Sequence, residues 1–210
     1  MGLFTRTAKA TTPAPTSAPA ATEPSSSFVS DLSGDYVLDP SHSRLGFSAR
    51  HAMVTRVRGN FDEFEGTAHV DTATPANSKV DVTIQAASVT TGSEQRDGHL
   101  KTPDFFDIEN HPTLTFVSTD VARDGSEWAI TGDLTINGVT KPVTIDFEET
   151  GSAKDPYGNT RIGFEGSTTI DRTDWNLTFN AALETGGVLV SEKVKLEFDI
   201  SAIAQVPSQV

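Results

Sequence analysis

From Gly34 onward, apolar and polar residues alternate along the chain with a period of two. In SKVDVTIQAA, Val80, Val82 and Ile84 alternate with Asp81, Thr83 and Gln85. In TKPVTIDFEE, Val143, Ile145 and Phe147 alternate with Thr144, Asp146 and Glu148, and EKVKLEFDISA repeats the pattern from Val194 to Ile200. Successive side chains of a strand point to opposite faces, so this pattern predicts antiparallel strands with one dry and one wet face. Turn signals fall between the runs: Asn137-Gly138 is a two-residue hairpin signal, and Asp124-Gly125 and Tyr157-Gly158 mark further reversals. The predicted strands cover about 34–40, 43–50, 56–70, 78–90, 113–122, 127–136, 140–152, 160–171 and 191–204. Hairpin-linked strands with one apolar face imply an all-β sandwich or a closed antiparallel barrel. The long runs NFDEFEGTAHVD and TRIGFEGSTTIDRT favour the barrel, with Gly66 and Gly166 placed to ease a bend. A barrel of about eight strands encloses either its own side chains or one small ligand.

One connection breaks the pattern. SEQRDGHLKTPDFFDIENHP, Ser93 to Pro112, is too long for a hairpin, and Leu100, Phe105, Phe106 and Ile108 give it one apolar face. It predicts a short helical or capping piece over about residues 92–110. Long structured connections often carry function. The two phenylalanines read either as a plug for one end of the barrel or as a lid over a guest.

Composition narrows the choices. The chain has 210 residues, no cysteine and a formal net charge of −13. That length suits one barrel domain, and the lack of cysteine excludes disulfides, thiolate nucleophiles and Cys-ligated metals. Acidity argues against nucleic acid as a partner and disfavours loose adsorption to anionic membranes. The first 30 residues, rich in Ala, Pro, Ser and Thr, have little to bury and read as a disordered tail, leaving a barrel domain over 31–205. No apolar stretch in that tail suggests a secretory signal, so a cytoplasmic location is expected. Without Arg6, Lys9 and Glu23 the remainder has 14 basic and 28 acidic residues, a net −14. Any anionic ligand must therefore be met by a local cluster of cations. The five histidines (His42, His51, His69, His99, His111) show no metal-binding spacing, and no nucleophile elbow or phosphate loop occurs. A binding protein without cofactor or metal is expected; a hydrolase or metal-dependent enzyme is the weaker reading.

The run SVTTGSEQRDGHLKTPDFFDIENHPTLTF resembles the signature region of the YceI-like family, lipocalin-like proteins that bind polyisoprenoids. YVLDPSHSRLGFSARH, GNFDEFEG, GDLTINGVTKPVTIDFE and IDRTDWNLTFNAALETGGVLVSEKVKLEFDIS are similar to other segments of that family, in the same order, over about residues 34–203. The resemblance implies a single lipocalin-like antiparallel barrel holding a long prenyl chain in its lumen. A polar head, such as a pyrophosphate or quinone, would lie near the mouth. It implies no catalysis and no metal, and it is compatible with transient membrane contact and a homodimer. Many relatives are exported, which sets the family against the cytoplasmic expectation.

The residues fit that chemistry. Burying a CH₂ group is worth ~0.8 kcal/mol, so one isoprene unit contributes roughly 3–4 kcal/mol before costs. The dry faces and the connection supply the candidate tail lining: Phe47, Val82, Ile84, Phe105, Phe106, Leu114, Phe116, Ile145, Phe147, Phe164, Leu196 and Phe198. Arg50, His51, Arg96, His99 and Lys101 are candidate head-group cations, with Asp97 orienting one of them. Arg96 and Asp97 read alternatively as an ion pair tying the connection to a strand end. The competing function is a stress-related scaffold whose core is filled by its own side chains.

Overall fold

The computed structural model describes residues 31–184 and 186–205. The segment expected to be a disordered tail, 1–30, lies outside them. Among the described residues eleven strands form one antiparallel sheet: β1 (Gly34–Leu38), β2 (Arg44–His51), β3 (Thr55–Phe61), β4 (Phe64–Val70), β5 (Lys79–Gln85), β6 (Val89–Thr90), β7 (Thr113–Asp124), β8 (Glu127–Ile136), β9 (Val139–Lys154), β10 (Thr160–Asp171) and β11 (Val190–Ala204). One helix, α1 (Glu94–Leu100), lies within the unusual connection. The sheet order is β1-β4-β5-β7-β8-β9-β10-β11-β2-β3-β6, and β1 also pairs with β11, which closes the barrel. The expected all-β barrel with one helical connection is the fold observed.

Closure depends on β11 serving two partners along one edge. Its N-terminal part pairs with β2, as in Leu196↔Phe47, and its C-terminal end pairs with β1, as in Ala202↔Leu38. Between β1 and β2 the chain turns through the short 3₁₀ segment Pro40–His42, capped by Asp39.

The predicted strand 56–70 is two strands. Phe61 and Phe64, both buried, stand three residues apart, which no period-two strand can place on one face. The corner at Asp62-Glu63 sends the chain to new neighbours: β3 pairs with β2 and β6, whereas β4 pairs with β1 and β5. The predicted strand 78–90 likewise breaks at a 3₁₀ turn, Ala86–Ser88. No register shift falls at Gly66 or Gly166. The register shift in β10 falls at Gly163/Phe164, and a side chain at Gly166 would collide with the Phe147 ring.

Three apolar clusters occupy the interior. A small one gathers Leu38, Leu45 and Phe64. Of the two larger, one gathers Phe105, Leu114, Ile136, Trp175 and Leu177; the other gathers Leu32, Tyr36, Val121, Trp128 and Ile162. Ile130 and Phe147 pack against both, so they mark the middle of the barrel. Trp175 is a core residue, its indole N–H donating to the Leu134 carbonyl at 3.0 Å.

Candidate functional site

The three clusters do not fill the barrel. Between them runs a cavity of about 260 Å³, against the ~10–15 Å³ that a single enclosed water needs. All twelve residues expected to face a lipid tail line it. Most come from strand positions that alternation turns inward, while Leu100, Phe105 and Phe106 complete the wall from α1 and the turn after it. Phe106 meets Phe61 edge-on at 5.6 Å between ring centres, which fixes the connection against β3. The phenylalanines are therefore wall as much as plug.

Bare backbone keeps the middle of this cavity open. Phe147 on β9 and Phe198 on β11 both pair with Gly166 on the strand between them, and their rings meet at 5.7 Å. The Phe147 ring takes the space a Cβ at Gly166 would need; the Phe47 ring does the same at Gly59, and Phe116 at Gly132. In each case a flat ring lies against the wall instead of standing in the lumen.

The six charged residues expected to hold a head group do not line the cavity. Arg96 and Asp97 form no ion pair; instead both clasp Thr91. The Arg96 guanidinium donates to the Thr91 hydroxyl at 2.7 Å and its carbonyl at 2.9 Å, while Asp97 accepts from the Thr91 amide at 2.9 Å and from its hydroxyl. Their role is to anchor α1 to the end of β6. His99 pairs with Asp104 at 2.8 Å and sits edge-on to Phe105 and Phe179. Lys101 closes the C-terminus of α1 and forms no ion pair among the described residues. Arg50 and His51 stand exposed at the end of β2.

A different cation reaches the lining. Arg172, 5% exposed, follows Ile170 by two residues and continues the inward face of β10. Its guanidinium donates to three backbone carbonyls: Ser191 at 2.9 Å, Val190 at 3.3 Å, and Leu177. Burial pushes its pKa down from the ordinary arginine value, opposed by Glu192 and Asp171. The period of two in TTIDR was the signal for it: Ile170 and Arg172 share a face. At the opposite end the lining includes His69, which pairs with Asp35 at 2.7 Å, and Trp128, whose buried indole N–H has no hydrogen-bond partner among the described residues. The Arg123 guanidinium lies 4.8 Å from the Trp128 ring centre.

One cluster looks catalytic until its geometry is read. Ser41, His42 and Asp39 are mutually bonded, but the Ser41 hydroxyl at 2.9 Å and the Asp39 carboxylate at 2.8 Å meet the same ring atom, His42 Nδ1. A relay needs serine and carboxylate on opposite ring nitrogens. The group instead locks the β1–β2 turn, with Arg161 bridging Asp39 and Asp155. Hydrogen bonds from Ser41 and Arg161 hold the Asp39 carboxyl well below the usual carboxylate range. Among the described residues no group of three or more His, Cys, Asp or Glu side chains is placed to hold a metal ion.

Comparison with known proteins accounts for this architecture. The YceI-like domain pattern matches residues 36–202, nearly the whole barrel. This chain belongs to the YceI-like family. It is 42% identical over 150 residues to Protein YceI of Escherichia coli O157:H7, covering 70% of this chain and 78% of that one. It is 41% identical over 151 residues to a UPF0312 protein of Pectobacterium atrosepticum, covering 71% and 79%. Among solved structures, Burkholderia cenocepacia BcnA superposes with a TM-score of 0.69 at 25% identity, covering 78% of this chain and 98% of that one. A polyisoprenoid binding domain from Saccharophagus degradans shares the fold, with a TM-score of 0.61 at 20% identity over 81% of this chain and 98% of that domain.

Proposed function

We propose that the protein binds a long-chain polyisoprenoid lipid, of the isoprenoid quinone or polyprenyl phosphate type, inside its barrel. The observation that carries this reading is the cavity, walled by aliphatic and aromatic side chains along the length of the sheet. Water has few partners there, since nearly every lining side chain is apolar. An isoprenoid chain gains roughly 3–4 kcal/mol per buried unit, so a few units outweigh the cost of ordering it. The Saccharophagus degradans domain of the same fold, described as polyisoprenoid binding, is consistent with this ligand class. A cavity of this size counts against the scaffold reading, which needs an interior filled by its own side chains.

The test is solvent extraction of the purified native protein followed by mass spectrometry. One prenyl lipid per chain is the expected result. Folded protein that yields a clean extract, and takes up no isoprenoid quinone or polyprenyl phosphate when offered them, overturns the proposal.

A further inference from the structure

The β2–β3 hairpin is out of character with the rest of the molecule. From Arg44 to Phe61 the chain holds four arginines, one histidine and no acid, within a protein of net charge −13. Arg44 lies against the acidic outer groove with Glu197 and Asp199. The other three arginines lie nearer the tip. Arg50 and Arg56 are directly opposed across the hairpin, and Arg58, two residues on, shares their face. All three are exposed, and none forms an ion pair among the described residues. Glu184 and Glu192 are exposed on the neighbouring loop and strand, yet neither is paired with them. Like charges set directly opposite each other in a sheet are destabilising.

The tip is apolar. Met53 and Val54 are 61% and 75% exposed, two of the four large hydrophobic residues that stand out in the described chain. The turn carries them on Ala52 and Met53, both left-handed at φ 50° and 62°. Hairpin turns of this shape normally use asparagine and glycine. The tip thus combines like-charge repulsion, backbone strain and exposed apolar groups, three features that do nothing for the stability of the isolated barrel.

We infer that this hairpin docks the protein on an anionic lipid bilayer, with Met53 and Val54 entering the interface and Arg50, Arg56 and Arg58 meeting the headgroups. Apolar side chains at the tip and cations behind them suit a membrane surface, whereas a soluble anion would have no use for Met53 and Val54. The overall negative charge does not forbid it. At physiological ionic strength charges interact over only about 8 Å, so acids on the far walls are screened once the tip is in place. Each arginine near such a surface strengthens binding about fivefold, so three together contribute about a hundredfold.

The position gives docking a use. His51 pairs with Val190, the Ala52 amide donates to the Leu189 carbonyl at 2.7 Å, and Ala49 and Val190 line the cavity. The hairpin therefore presents to the membrane the same barrel end that holds Arg172. The inference is independent of what the lumen contains.

Flotation of the full chain with vesicles tests it. Binding is expected with phosphatidylglycerol mixed into phosphatidylcholine, not with phosphatidylcholine alone, and is expected to be released by high salt. R56E/R58E should weaken binding by at least about 25-fold, R56K/R58K should retain most of it, and M53S/V54S should weaken it while circular dichroism stays unchanged. Equal flotation of wild type and R56E/R58E, no flotation on anionic vesicles at low salt, or retention on heparin without vesicle binding would each overturn docking. Lipid extraction on the same preparations keeps the two readings apart: a clean extract with intact flotation removes the lumen ligand and leaves the docking.

Discussion

Gly166 carries no side chain at the place on the barrel wall where the rings of Phe147 and Phe198 meet. A methyl group there must displace Phe147 into the free space. Gly166→Ala is therefore expected to cost about 1–3 kcal/mol of stability and to lower the amount of extractable lipid; urea denaturation and mass spectrometry read the two effects. Arg172 makes the opposite kind of contribution, by satisfying carbonyls rather than by leaving room. Arg172→Met leaves the Ser191, Val190 and Leu177 carbonyls without their donor, at an expected cost of about 3 kcal/mol. Arg172→Lys, with three donors on one nitrogen, should recover only part of that loss in the same denaturation series. Asp39 and Asp155 contribute to the acid limit. Hydrogen bonds hold Asp155 down at about 2, those from Asn159 foremost, and Asp39 titrates lower still. Both carboxyls titrate below the unfolded value of about 3.9. The stability they confer is complete above that value and is lost as pH falls through the folded values. Asp39→Asn should melt at a lower temperature than wild type at pH 7, and the difference should shrink as an acid titration followed by circular dichroism nears pH 2.

At the scale of elements, the connection from α1 to β7 does two jobs. Its apolar side closes the wall, and its polar side fastens it through Thr91. Phe105→Ala should cost about 3–5 kcal/mol, since the ring is buried. Phe106→Ala, at a half-buried ring, should cost less, and both should reduce lipid retention while far-ultraviolet dichroism stays β-rich. Thr91→Val separates fastening from lining. It removes the hydroxyl shared by Arg96 and Asp97 without touching the cavity, so faster amide exchange confined to α1 is the expected outcome. The charges of this connection were visible in the sequence as a cluster, but their partners were not. Arg96 and Asp97 turn to a threonine five and six residues back, across the turn at Gly92, whose φ is 77°.

For the whole molecule, local alternation was enough to say which residues face inward. Every strand side chain expected in the lumen lines the cavity, because the two faces of a strand are fixed by a period that needs no knowledge of its neighbours. The hairpin signal at Asn137-Gly138 is likewise local, and both residues adopt positive φ. The resemblance of the ordered segments to the YceI-like family was also legible, and that membership stands. Pairing was not legible. That β11 would serve both β2 and β1, and that Phe61 and Phe64 would flank a corner, depend on contacts between residues far apart in the chain. Nor could the sequence tell a filled core from an open one, because a phenylalanine lying flat over a glycine and one standing in the lumen are written with the same letter. The opposed arginines at the β2–β3 tip belong to the same class: six positions apart in sequence, they become neighbours only once the strand register is set. Composition and periodicity thus determined an all-β fold and its dry face. Tertiary structure alone decided how much volume that face encloses and which charges meet, since volume and distance are properties of the packed chain and not of any segment within it.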